Sequence, residues 1–296
     1  MILVIGATGK LGGEICRRLS AEGKEVRAMI RPTAAPQKVE ALKKMGVQIV
    51  RGDLRNFETF EPALKGIDTV ISTVSSMPFS YVPGDNDIQN VDLAGIKKLV
   101  DKAKAAGVKH FIYTSFSNQI DQDVPLCNAK RAVEQHLEKS GLAYTILQPS
   151  YFMEAWLTPA VGFDVEHAKV QVFGDGTKPI SYISVEDVAK FAVASIENPA
   201  ARNAKLELGG PDKLSQLDAV RIFEKVDGRK FEVQYVPMEA LKEQLNAATD
   251  PMQQSFSGLM LAVAKGDPID MDKTLKAFPI PLTSVKDFAK RMEPVA

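Results

Sequence analysis

The 296-residue chain is poor in the residues that build metal sites and disulfide scaffolds. It has two cysteines, Cys16 and Cys127, and three histidines, His110, His136 and His167. The histidines lie far apart without zinc-ligand spacing, so no metal site is expected and a zinc hydrolase is set aside. Cys16 falls on the apolar stripe of a predicted helix, which disfavours a disulfide and fits a reducing, cytoplasmic setting. No run reaches about 18 consecutive apolar residues, the length of a membrane span. No charged region followed by an apolar stretch and a cleavage site opens the chain. It starts on Met1-Ile2-Leu3-Val4-Ile5, which reads as a core strand of a mature cytoplasmic protein. Net charge is absent too, with 37 Lys and Arg against 37 Asp and Glu. That balance removes the electrostatic reason for nucleic acid or an anionic membrane as partner. No internal repeat, low-complexity tract or Gly/Ser-rich linker is visible.

What is present is ordinary globular composition, 45% hydrophobic and 25% charged. At roughly 150 residues per domain, the length suits one large domain or two unequal ones. Up to residue 150, apolar runs alternate with amphipathic stretches. Strands are predicted at 2–5, 26–30, 47–50, 69–74, 110–114 and 144–147. Between them lie helices marked by Leu11, Ile15 and Leu19, by Val39 and Leu42, and by Phe57, Phe60 and Leu64. Two longer helices cover 88–106 and 127–140. Glycine follows most helices, at Gly23, Gly46, Gly107 and Gly141, as C-terminal caps do. Alternation of this kind predicts an α/β fold with a doubly wound parallel sheet.

After Gln148 the pattern loosens. Short strands are predicted at 170–173 and 180–183 around Gly174-Asp175-Gly176, then a helix over 185–197, and short strands at 205–208 and 231–236. The reading is a dinucleotide-binding domain over 1–150 to which 180–200 returns. Residues 151–179 and 201–296 form a smaller α/β substrate lobe.

Between the first strand and the first helix stands Gly6-Ala7-Thr8-Gly9-Lys10-Leu11-Gly12. Glycines at this spacing let the chain turn sharply, let backbone approach a pyrophosphate and let the helix pack close to the sheet. The helix N-terminus then faces the anion. A glycine turn that merely packs is the bland alternative, but strand and helix flank the loop as the motif requires. At the end of the second strand, where an NAD site carries an acidic residue, the chain has Ile30-Arg31-Pro32. Arg31 can pair with a 2′-phosphate, which favours NADP(H) over NAD(H). Lys10 adds positive charge near the phosphates or is simply solvated. Asp53, with Leu54, follows the third strand, where its carboxylate either accepts from an adenine amine or caps the next helix. The backbone of Ser72, Thr73 and Val74 is expected beside the adenine ribose.

These residues resemble the NmrA-like branch of the short-chain dehydrogenase superfamily, over nearly the whole chain. The likeness rests on the Gly6–Gly12 loop, Arg31, Gly52-Asp53-Leu54, Asn90-Val91-Asp92-Leu93-Ala94-Gly95 and the run 107–115 that ends in Thr114-Ser115. It continues through Lys130-Arg131-Ala132-Val133-Glu134, the run 140–147 and Ile183-Ser184-Val185-Glu186-Asp187-Val188-Ala189. It implies a Rossmann NAD(P)-binding fold. The superfamily's catalytic set is a serine after the fifth strand plus Tyr-x-x-x-Lys on the next helix. Here Lys130 matches, Leu126 stands at the tyrosine position, and Phe116, between Ser115 and Ser117, replaces the serine. NmrA-like reductases also lack the tyrosine.

Lys130 lies at the edge of the stripe formed by Leu126, Ala129, Val133 and Leu137, from which it either snorkels to solvent or enters a polar cleft. The resemblance assigns it the cleft, as a catalytic residue on the nicotinamide ribose. It also places Thr114, Ser115, Pro149, Ser150, Tyr151 and Phe152 at the nicotinamide. Phe79, Tyr81, Phe116 and Trp156 are the candidate substrate residues, with Met252, Phe256 and Met260 less so. Aromatic residues at such spacing are more often core. Tyr81, Tyr113 and Tyr151 are the local candidates for a tyrosine proton donor. Asp187 opens the 185–197 helix behind the cap Ser184, a structural role.

The functional expectation is NADPH-dependent reduction of a conjugated or quinone-like small molecule. The other reading is a non-catalytic NAD(P) sensor or assembly protein with a protein partner. Some photosystem assembly factors of the branch are similar from Val124-Pro125-Leu126 to Lys130.

Overall fold

The computed structural model describes residues 1–77 and 87–292. Seven strands make the central sheet: β1 (Ile2–Ile5), β2 (Val26–Ile30), β3 (Gln48–Arg51), β4 (Thr69–Ser72), β5 (His110–Thr114), β6 (Ala143–Pro149) and β9 (Ala204–Leu208). Their order is β3-β2-β1-β4-β5-β6-β9, and every pair is parallel. A second sheet joins β7 (Phe163–Asp164), β8 (Lys169–Phe173) and β10 (Glu232–Val236) in the order β10-β8-β7. The α/β, doubly wound parallel sheet expected from the alternation, and the Rossmann fold implied by the resemblance, are observed. Among the described residues, no helix is long and apolar enough to cross a membrane.

Side-chain alternation along the strands feeds two cores. Val4, Ala28, Ile71 and Ile112 face helices α1 (Lys10–Ala21), α2 (Pro36–Lys44) and α7 (Val185–Ala194). Leu3, Val70, Phe111 and Tyr113 face α3 (Phe60–Leu64), α4 (Ile96–Ala105) and α5 (Pro125–Lys139). Every one of these eight strand residues is fully buried. Burying a large apolar side chain is worth about 1.5–3 kcal/mol, so the two faces supply the main driving force for this domain. A third core lies in the lobe, built on Phe163, Phe223 and Phe231, with Phe163 edge-on to Phe223 at 4.8 Å. Its helices are α6 (Met153–Trp156), α8 (Gln216–Asp227), α9 (Met238–Ala247), α10 (Pro251–Lys265) and α12 (Val285–Met292), while α11 (Asp272–Ala277) packs on the first core.

Three expectations need correcting. The predicted helix 88–106 begins as a π-helix, Ile88–Gly95, before α4 takes over. Gly95 sits in that wide turn against Leu54, where a Cβ would lie 2.9 Å from both the Leu54 Cβ and carbonyl oxygen. The predicted strand 180–183 is reduced to isolated bridges, from Ile180 to Leu214 and Asp267 and from Ile183 to Phe152. Pro179 lacks an N–H for a ladder, and Gly174 and Gly176, both at φ +71°, turn the chain away from β8. Finally, residues 204–208 belong to the large sheet as β9, although the sequence pattern assigns 201–296 to the lobe. Asp187 is structural, as expected. Its N–H is capped by Ser184 Oγ, and its carboxylate accepts from the Thr283 N–H at 2.6 Å and from Lys190 Nζ.

Candidate dinucleotide and nicotinamide site

The strand order reverses between β1 and β4, the place where open α/β sheets bind ligands at their carboxyl ends. A cavity of about 260 Å³ opens there. Of the predicted cofactor residues, Gly6, Thr8, Gly9, Arg31, Asp53, Leu54, Thr73 and Val74 line it. Gly52 and Val91, from two motifs of the family likeness, line it too, as do Lys38, Ser75 and Ser76, which are not among the expected cofactor residues. An exposed lysine in the first turn of a helix, as Lys38 is, looks like any surface lysine.

The loop owes its shape to missing side chains. Gly6 has φ +89°, and a Cβ there would lie 2.6 Å from Thr73 Oγ1. A Cβ on Gly12 would lie 2.3 Å from the Gly6 carbonyl oxygen. Backbone rather than side chain therefore forms this wall. No side chain caps α1, whereas Ser184 and Ser215 cap α7 and α8. An uncapped helix start beside a glycine loop suits an anionic ligand. Leu11 and Gly12 are buried in that first turn. Lys10 Nζ donates to the Glu154 carbonyl at 3.1 Å, which places its charge between the loop and α6.

Arg31 and Lys38 stand together on the cavity wall, two cations where the sequence alone marks one. The backbone there is braced by Arg51, which donates to the Arg31 carbonyl at 3.1 Å. Asp53 does not cap the next helical turn. Asn56 does that, accepting from the Glu58 N–H. Asp53 instead grips Arg55 with both oxygens, at 3.0 and 2.6 Å. That hydrogen-bonded guanidinium holds its carboxyl below the usual carboxylate range.

At the far end of the crevice lies Lys130. It is 3% exposed, so the solvent-snorkelling alternative does not hold. Its ammonium donates to the carbonyls of Val74 at 3.2 Å and Thr114 at 3.3 Å and stands 5.1 Å above the Tyr113 ring. Burial pushes its pKa below the usual lysine value, and the Asp92 and Glu134 carboxylates pull it back up. Ser72 is fully buried and faces the same helices as Tyr113, so only its backbone can border the crevice.

The Ser115 side chain turns toward the helix α5. Its hydroxyl donates to Glu134 at 2.5 Å, in a buried network where Arg131, Gln148 and Lys205 also reach Glu134. Ser117 donates to the buried Asp267 at 2.6 Å. The Pro149 carbonyl accepts from the Ser117 N–H, and the Ser150 N–H donates to the Leu208 carbonyl, so these backbone groups hold the sheet edge. Tyr151 is 2% exposed and stacks edge-on to Trp156 at 4.8 Å. Phe152 bridges to Ile183.

Two of the four candidate substrate residues, Phe116 and Trp156, lie among the described residues. Phe79 and Tyr81 lie outside the described residues. Phe116 packs against Leu126 and Met252, with the Arg131 guanidinium 5.2 Å above its ring. Trp156 lines a separate small cavity with Phe163 and Tyr182. Met252 and Met260 are core, while Phe256 is exposed. Tyr113 and Tyr151 are buried, and burial pushes both hydroxyls well above the usual tyrosine range. Leu126, at the tyrosine position, is buried and offers no proton. Among the described residues no group of three or more metal-ligating side chains occurs, and both cysteines are free and buried.

The sequence matches the NmrA-like family over residues 1–288. Photosystem II assembly factor Ycf39 of Cyanophora paradoxa is 33% identical over 81% of this chain and 73% of its own length. An NAD(P)H azoreductase of Xenophilus azovorans is 29% identical over 85% of this chain and 82% of its own. Among solved structures, the NADPH complex of an NADPH-dependent quinone oxidoreductase from Escherichia coli superposes with a TM-score of 0.78. It covers 99% of both chains at 22% identity. The chain belongs to the NmrA-like family.

Proposed function

We propose that this NmrA-like chain binds NADP(H) in the β1/β4 crevice and reduces a small conjugated or quinone-like acceptor. One observation carries the reading most: the glycine-walled cavity ends on two cations, Arg31 and Lys38, and among the described residues the Arg55-bound Asp53 is the one acidic residue on its wall. A 2′-phosphate there would gain charge-assisted bonds worth about 1.5–3 kcal/mol. The fit of the group rests on the backbone wall at Gly6 and Gly12 and on the uncapped start of α1.

A bound NADPH would supply the hydride; the protein supplies position and a dry, ordered surface. Gly6, Thr8 and Gly9 would hold the phosphates, and Leu54, Thr73 and Val74 the adenosine. Lys130 would donate to the nicotinamide ribose, since its ammonium already faces carbonyl oxygens at the inner end of the crevice. Among the described residues, burial holds the Tyr113 and Tyr151 hydroxyls protonated, so water or the acceptor's own hydroxyl would quench the charge. The free, buried cysteines fit a cytoplasmic site of action.

A second reading has its own support. Leu126 at the tyrosine position and the likeness to photosystem II assembly factors favour a dinucleotide sensor that passes its state to a protein partner. Calorimetric titration of cofactor-free protein with NADPH, NADP+, NADH and NAD+ is the deciding test. Preference for the phosphorylated pair, followed by NADPH oxidation with quinone or enone acceptors, supports the reductase. Phosphate-independent binding without turnover supports the sensor. No binding of any dinucleotide sinks both.

A further inference from the structure

Asp92 joins the two ends of the crevice. It lies in the π-helix and is fully buried. One oxygen, Oδ2, accepts from the Ser76 N–H at 2.9 Å and from the Ser76 hydroxyl. Ser76 is part of the wall of the dinucleotide cavity, as is Val91, the residue before Asp92. The other oxygen, Oδ1, has no hydrogen-bond partner and stands 3.8 Å from Lys130 Nζ.

The groups around Lys130 leave Asp92 a distinct task. Glu134, on the same helix as Lys130, already takes Ser115, Arg131, Gln148 and Lys205. From β5 come only the Tyr113 ring and the Thr114 carbonyl, and from the end of β4 the Val74 carbonyl. Among the described residues, Asp92 is thus the buried counter-ion with an oxygen still uncommitted. A buried carboxylate facing a buried ammonium without a direct hydrogen bond is costly, and such pairs are kept where they fix geometry or charge.

We propose that Asp92 is the positioning residue of this crevice. Oδ2 pins Ser76 in the wall of the dinucleotide site, and Oδ1 keeps the Lys130 ammonium charged and oriented toward the ribose position. The inference rests on the dinucleotide reading above. Burial alone drives Lys130 toward the neutral amine, and Asp92 opposes it. The expected chain of effects runs from Asp92 to the protonation of Lys130, and from there to cofactor affinity.

The test uses full-length protein labelled with 13C at lysine Cε, with the Lys130 resonance identified by its loss in Lys130→Met. In Asp92→Asn, the Lys130 titration midpoint is expected to fall by about 1–3 pH units. Asp92→Glu, which keeps the charge, should restore it. NADPH affinity measured by calorimetry in Asp92→Asn should weaken about 10-fold above the new midpoint and much less below it. A Lys130 midpoint equal in wild type and Asp92→Asn overturns the proposal. If Asp92→Asn does not fold, Ser76→Ala decides. Losing one donor to the carboxylate should raise the Lys130 midpoint and weaken NADPH about 3-fold, and no change in either overturns the proposal. The titration needs no ligand. Failure of wild-type protein to bind NADPH therefore overturns the dinucleotide reading, separately from the outcome for the Asp92–Lys130 pair.

Discussion

The two ends of the crevice are built by opposite means. The outer end is made of backbone. Gly6, Gly9 and Gly12 shape it by lacking side chains, α1 opens into it uncapped, and two exposed cations guard its rim. The inner end is made of buried side chains, in which Lys130, Asp92, Ser76, Ser115 and Glu134 are tied to one another away from solvent. The outer end tolerates little added volume and much change of charge. The inner end is the reverse, because each charge there is held by a specific neighbour in a region of low dielectric.

Substitutions can break that contrast. The largest effect is expected from Gly12→Ala, whose new Cβ would lie 2.3 Å from the Gly6 carbonyl oxygen. Overpacking of this kind costs about 1–3 kcal/mol. Concentrated in the loop, it should weaken NADPH and NADH alike by about 100-fold in calorimetry. Lys130→Met should follow, with NADPH weakened about 10- to 100-fold through a lost charge-assisted bond. Its thermal midpoint should hold or fall depending on Asp92, so Lys130→Met combined with Asp92→Asn should melt higher than Lys130→Met alone. Arg31→Ala and Lys38→Ala should each weaken NADPH about 10-fold and leave NADH within about 2-fold. Equal loss for both dinucleotides would remove the 2′-phosphate assignment. The smallest effect belongs to Ser115→Ala. Its hydroxyl already serves Glu134, so NADPH affinity should change by less than about 2-fold while stability falls by about 1 kcal/mol. A large loss of affinity would show that Ser115 reaches the ligand after all.

The same contrast marks what the sequence makes legible. Alternating strands and helices, with the glycine loop between the first pair, are local patterns, and they announce the sheet and the outer end of the crevice. Arg31 is visible because the end of the second strand is a fixed position of the fold. Lys38 is invisible because nothing in a sequence separates a lysine at a cavity rim from one in solvent. The inner end depends on pairs far apart in the chain. Lys130 and Asp92 are 38 positions apart, and Ser117 and Asp267 are 150 apart. Ser115 has the motif of a ligand contact, but its hydroxyl turns to a carboxylate on the next helix. The aromatic residues expected at the substrate carry no periodic signal separating lining from core, and both Phe116 and Trp156 are partly buried against the core of the lobe. The seventh strand escapes for a related reason. A five-residue strand states its existence but not which sheet edge it will join.

That last strand has an engineering consequence. β9 leaves the lobe, docks on β6 and is followed by the rest of the lobe's chain. The two parts are interleaved, so residues 151–296 are not a cassette that can be exchanged whole between relatives. A chimera cut at 150 would replace an edge strand of the central sheet together with the lobe. Grafts that retain 180–208 and exchange only the flanking segments keep the scaffold continuous.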